Sequence, residues 1–179
     1  MERQKTHAFA LAERMMVVYP KCPLTPNSIK YIIAFKSKHF STSMAFAIKT
    51  EVRDLRARTF VFAGQKTMYG GKHIAKGDTV FVFASENEGG QGLIARGVVT
   101  STEAIAKKRG VARQTPRVSI AVKRTALAKR PLGRSELKQF TDWNDGQPET
   151  ELNFKFYRQA TNKIVGISNE AATFLDGCF

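Results

Sequence analysis

From Met44 onward the chain falls into short runs in which apolar and polar residues alternate, separated by glycine, proline and polar clusters. "MAFAIKTEV" alternates from Phe46 to Val52, and "RTFVFAG" (58–64), "DTVFVFAS" (78–85), "GLIARGVVTS" (92–101), "PRVSIAVKRTAL" (116–127) and "NKIVGIS" (162–168) follow. A period of two places one set of side chains on each face of a pleated strand, so each run reads as a strand. Val and Phe dominate the run at 78–85 and suit a pleated, half-buried surface. Gly97 inside its run marks a bulge or a tight barrel bend. Two short helices are expected: "SELKQFTDW" with Ser135 as its cap, and "EAATFLDG" capped by Asn169 and ended by Gly177. Many short strands with turn signals between them predict a small barrel.

The first 43 residues lack this regularity. "YPKCPLTPN" holds three prolines, each of which removes a backbone donor and fixes φ. No acidic residue occurs between Glu13 and Glu51. That composition fits an organelle-import segment, and equally a translation start at Met44 with the upstream stretch mis-assigned. The expected organisation is a poorly ordered extension over 1–43 and one domain over 44–179, within the length of a single domain plus an appendage.

Charge narrows the partner. The chain carries a formal net charge of +14 and has a pI near 10.1. Residues 106–140 alone hold a net +10, whereas 141–179 are net negative. Such a surplus favours a polyanion, either nucleic acid or an anionic membrane surface. No apolar run approaches the roughly 18 residues of a membrane span, and nucleic acid, DNA or RNA, is the expected partner. "KKRGVARQTPR" contributes Lys107, Lys108, Arg109, Arg113 and Arg117, and "KRTALAKRPLGR" (123–134) adds a second cluster. Glycine and proline among these charges place them on loops and strand ends. There they would track phosphates and make binding fall with salt; the plainer alternative is a solvated surface. Cys22 and Cys178 form no C-x-x-C pair, which speaks against a disulfide framework or a zinc site and fits reduced thiols in a cytoplasmic protein. No metal and no cofactor is expected.

Four segments carry candidate chemistry. The loop "SENEGGQG" (85–92) offers Ser85 and Asn87 where a strand leaves the core, and its glycines permit close approach. Glu86 and Glu88 repel phosphate, so a ligand here would present a base edge; otherwise this is a flexible solvent loop with two incidental acids. "GQKTMYGGKHIAKGD" supplies Lys66, which could bind a phosphate or polarise a carbonyl, and Tyr69, which could stack on a base. Its Gly70-Gly71 pair lacks the phosphate-loop pattern, and a lone His73 reads as a surface residue. Trp143 lies in the polar "DWNDG", where an indole is either a stacking wall or a lid on the core. "NFKFYRQATN" brings Tyr157 and Arg158 together, spaces Arg158 and Asn162 for one helix face, and gives the core Phe154 or Phe156. No H-E-x-x-H, G-x-S-x-G or Cys/His pairing exists, and Glu86, Glu88, Asp142 and Asp145 are scattered over loops. No catalytic residue is assigned.

The stretch "KGDTVFVFASENEGGQGLIARGVV" (76–99) resembles the PUA-like superfamily, in particular the EVE domain. Gly77-Asp78, an apolar strand ending at Ser85, a polar loop, and Gly92 followed by Gly97-Val98-Val99 carry the resemblance. It extends over 44–179 in the order of elements and is specific around 76–99. It implies an α+β fold, a small pseudo-β-barrel with a few short flanking helices. It also implies a pocket at the barrel mouth that holds one base, often modified, with Ser85 and Asn87 lining it. YTH domains look similar and use aromatic walls; Trp143 and Tyr157 are the walls that composition offers here. The related ASCH branch carries G-x-K-x-x-E-x-R, and this chain keeps Gly64 and Lys66 but has Tyr69 and Gly71 in place of the acid and the arginine. An early tryptophan of EVE domains is also missing. The competing reading is a small hydrolase of a modified nucleoside, using Lys66, the Thr67 hydroxyl and an acid from Glu86 or Glu88.

Overall fold

All six alternating runs are strands, and together they close. In the computed structural model, which describes residues 45–159 and 162–179, the strands are β1 (Ala45–Thr50), β2 (Thr59–Met68), β3 (Thr79–Ala84), β4 (Gly92–Ile105), β5 (Arg117–Leu127) and β6 (Lys163–Ile167). The extension assigned to residues 1–43 lies outside the described residues. The strands form a closed barrel in the order β1-β3-β4-β5-β2-β6. The pairs β1–β3 and β2–β6 are parallel and the other four antiparallel. Closure removes free sheet edges, which is how a small all-strand core avoids edge pairing. The expected bulge at Gly97 is present as a register shift between Arg96 and Gly97 against β5.

Among the described residues three α-helices accompany the barrel: α1 (Arg134–Leu137), α2 (Pro148–Asn153), which runs on into a π-helical turn over Phe154–Gln159, and α3 (Asn169–Asp176). Two expected caps move. Ser168, not Asn169, caps α3, its hydroxyl oxygen accepting the Ala171 N–H at 3.0 Å. Gly133, not Ser135, begins α1, because the Ser135 hydroxyl donates to Glu136 while the Glu136 carboxylate accepts the Gly133 N–H at 2.7 Å. The sequence pattern did not foresee α2; Pro148 in its first turn needs no N–H there.

Alternation divides the apolar residues into two cores. Phe46, Ile48, Val80, Val82 and Ile164 point into the barrel with Phe60, Val99, Ile120 and Val122. The opposite faces of β1, β3 and β6 (Ala47, Phe81, Phe83, Val165) pack under Leu137, Leu152, Phe156, Ala171 and Leu175 of the helical segments. Strands covered on both sides can be apolar throughout, which explains "TVFVFA" in β3. Phe83 and Phe156 meet with ring centroids 4.7 Å apart. Among the described residues nothing covers β2 and β5 in this way, and Val61 is 74% exposed.

The seam where β2 meets β6 depends on two glycines. The Gly166 N–H donates to the Tyr69 carbonyl at 3.0 Å. A Cβ on Gly166 would come within 2.4 Å of that carbonyl oxygen, and one on Gly71 within 2.2 Å of the Ile164 oxygen. Tyr69 itself holds φ 48°, a left-handed conformation uncommon for a residue with a side chain.

Candidate nucleic-acid interface

The loop between β3 and β4 is tied down rather than free. Ser85 is buried; its N–H donates to Thr50 and its carbonyl accepts the N–H groups of Glu88 (3.0 Å) and Gly90 (2.8 Å). A Cβ on Gly90 would collide with the Ala84 backbone at 2.5 Å, so glycine is required for the loop to fold back on the strand. Asn87 is exposed at the middle of a single 3-10 turn, Glu86–Glu88. Glu86 is no incidental acid. One carboxylate oxygen lies 2.7 Å from the Lys49 ammonium, and the other accepts the Tyr157 hydroxyl and, at 3.0 Å, the Arg134 N–H. The Lys49 side chain is 4% exposed and its ammonium also sits 3.8 Å from the Tyr157 ring centroid. Burial opposes the Glu86 charge, but the bonds from Lys49 and Tyr157 outweigh it and hold the carboxyl below its ordinary range. Burial, reinforced by Glu86, pushes the Tyr157 phenol up, so Tyr157 remains a donor.

The helical turn at 154–159 connects this loop to a second cluster. Tyr157 reaches the loop, Phe156 enters the core, and Phe154 lies between two aromatic rings, 5.3 Å from Trp143 and 6.4 Å from Tyr69. Trp143 is 43% and Tyr69 39% exposed. The Arg158 guanidinium lies 5.4 Å from the Trp143 ring and the Lys155 ammonium 5.2 Å from the Tyr69 ring. Lys155 is held by Glu151 at 2.7 Å and by the Gly166 carbonyl at 2.8 Å, and Glu151 also accepts the Ser168 N–H and hydroxyl. Burial again opposes the Glu151 charge, and these bonds keep its carboxyl low. The structure thus brings Tyr69, Trp143 and Arg158 together and turns Tyr157 to a separate task, anchoring the loop that carries Ser85 and Asn87.

Lys66 is exposed, paired in register with Arg117 of β5 and Lys163 of β6. Thr67 is buried and its hydroxyl donates to the Pro116 carbonyl at 3.1 Å. With that hydroxyl engaged and Glu86 matched by Lys49, neither group is available for the hydrolytic role considered above. Lys107, Lys108, Arg109 and Arg113 are exposed on the connection between β4 and β5, and Arg117 starts β5. The β3–β4 loop leaves the other end of the 14-residue β4, up to roughly 45 Å away along the strand. Among the described residues no group of three or more His, Cys, Asp or Glu could hold a metal ion, and no helix is long and apolar enough to cross a membrane.

Sequence reasoning missed Lys49 and Lys155. Alternation puts Lys49 on the outward face of β1, where a lysine is expected in water; Tyr157 and Glu86 lie against it and bury it. The i,i+4 pairing of Glu151 with Lys155 was visible as a spacing, but its partners on β6 were not.

A closed six-stranded barrel with short helices on one side is a small α+β pseudo-barrel, the fold expected above. Solved structures share it. Human THYN1 in complex with 5-methylcytosine-containing DNA is similar at a TM-score of 0.52 and 18% identity, over 74% of this chain and 95% of that one. The DUF55 domain of human thymocyte nuclear protein 1 gives 0.51 and 16%, over 73% and 95%. A Pseudomonas putida protein gives 0.51 and 13%, over 75% and 98%. No protein-family model and no curated protein matches the chain. At these identities the likeness is one of fold.

Proposed function

We propose that the domain is a nucleic-acid-binding module that holds one base, modified or not, at the aromatic surface beside the 85–91 loop. Trp143 and Tyr69 supply ring faces, Asn87 and Ser85 sit on the loop, and Arg158 and Lys66 add positive charge. Lys107, Lys108, Arg109, Arg113 and Arg117 meet phosphates elsewhere on the same nucleic acid. The observation that carries this reading is the trio Trp143, Phe154 and Tyr69, with two rings open to solvent and a cation beside each. Cations already at those rings disfavour a positively charged ligand and favour a neutral base joined to an anionic backbone. The fold shared with a protein solved on methylcytosine DNA makes 5-methylcytosine the first base to test.

The test is fluorescence anisotropy with oligonucleotides carrying different base modifications. Trp143→Ala should weaken the preferred oligonucleotide about tenfold, the scale of one lost base stack, with the salt dependence unchanged. Reversing Lys107, Lys108 and Arg109 should weaken every oligonucleotide and flatten the salt slope. Unchanged affinity of Trp143→Ala for all of them would remove the aromatic surface from the site.

A further inference from the structure

The connection between β4 and β5 is an ordered projection, not a loose basic loop. Among the described residues only β5 pairs with β4 beyond Val99, β5 is itself flanked by β2 as far as Arg117, and residues 100–113 are exposed throughout. The limb that leads into β5 is braced. Thr67 bonds the Pro116 carbonyl through its N–H (3.0 Å) and its hydroxyl (3.1 Å), and the Arg117 guanidinium donates to the Gly64 carbonyl at 3.3 Å. The tip is closed by one side chain. The Gln114 carboxamide oxygen accepts the Lys108 N–H at 2.8 Å, while its nitrogen donates to the Lys108 carbonyl at 2.6 Å and the Val111 carbonyl at 3.3 Å. Gln114 therefore pairs with Lys108 as a backbone strand would. It fixes the turn at Arg109-Gly110, where Gly110 has φ 82° and Val111 stands 51% exposed at the apex.

We infer that this braced β4–β5 hairpin is a finger that enters a groove of duplex nucleic acid, an inference resting on the nucleic-acid reading above. The last β4–β5 and β5–β2 pairs both lie at Arg117, so past the sheet only the two limbs of residues 106–116 remain, and two chains side by side are narrow enough for a major groove about 12 Å wide. Charges at a tip inside a groove face phosphates of both strands. Residues 99–117 contain no aromatic side chain, so the finger offers unpaired bases nothing to stack on, which a single-strand surface requires. Among the described residues none of Lys107, Lys108, Arg109 or Arg113 forms an ion pair.

The Gln114 clamp separates a shaped finger from mere charge. The full-length chain and its Gln114→Ala variant, which keeps every charge, are titrated with an unmodified 20-base-pair DNA duplex and with one of its strands. Wild type should prefer the duplex, and Gln114→Ala should weaken duplex binding about fivefold through lost preorganisation. Its single-strand affinity and melting temperature should stay unchanged. Guanine N7 in the bound duplex should be protected from methylation. Equal wild-type affinity for duplex and single strand, a Gln114→Ala duplex affinity equal to wild type, or equal weakening on both probes would each overturn the finger while leaving the base-holding reading intact. Failure of the wild type to bind either probe or any modified oligonucleotide would overturn both.

Discussion

On one side of the barrel β1, β3 and β6 are packed on both faces; on the other, β2 and β5 turn their outer faces to water. Charge follows the same division. Under the helical cover, Lys49 meets Glu86 and Lys155 meets Glu151, each at 2.7 Å with further hydrogen bonds around it. Among the described residues the cations along 107–117 have no acidic partner. A charge withdrawn from water is costly unless matched, whereas one at a solvated tip costs nothing to leave available. The covered side therefore uses its ions to hold the loop and the aromatic turn in place, and the open side keeps its ions for a partner.

The largest effect should come from the covered core. Phe156→Ala removes a fully buried ring packed on Phe83, and should cost about 4 kcal/mol in urea unfolding. Glu86→Gln should come next, at about 3 kcal/mol. That is the low end for a buried pair, because Lys49 is left deep while Glu86 itself was a quarter exposed. The same variant should alter the acid response. The folded Glu86 carboxyl lies below its reference value of 4.5, so the native state binds fewer protons than the unfolded chain in the acid range. Its contribution is present above pH 4.5 and drains away as pH falls through the folded value. Unfolding measured from pH 7 to 3 should show a shallower acid loss in Glu86→Gln than in wild type, with Glu151 supplying part of what remains. At the small end, Val61→Ala on the open face should change stability by less than about 0.5 kcal/mol. A Val61 effect rivalling that of Phe156 would erase the contrast between the two sides.

Period-two alternation made the barrel legible because it depends only on neighbours in sequence. All six strands were there to read, and Gly97 was readable as a bulge because a glycine inside a strand has few other uses. Properties set by what lies across the fold were hidden. Lys49 alternates as a solvent-facing residue and is buried because Tyr157 of the turn after α2 and Glu86 of the β3–β4 loop lie against it. Tyr157 read as a wall because its residue type suits one, yet its hydroxyl and one ring face belong to the loop anchor. The aromatic grouping of Tyr69 with Trp143 unites residues 74 positions apart, which no local pattern reports. The "SENEGGQG" loop looked floppy for the same reason: the groups that restrain it come from β1, α1 and the turn at 154–159.

The glycine seam carries one more consequence. Tyr69 presents its ring from the very residue whose carbonyl Gly166 grips to shut the barrel, and Lys155, beside that ring, holds the carbonyl of Gly166 itself. The last stitch of the cylinder and the posture of an outward-facing ring are thus one piece of geometry, so a methyl group added at position 166 would be felt outside as well as within.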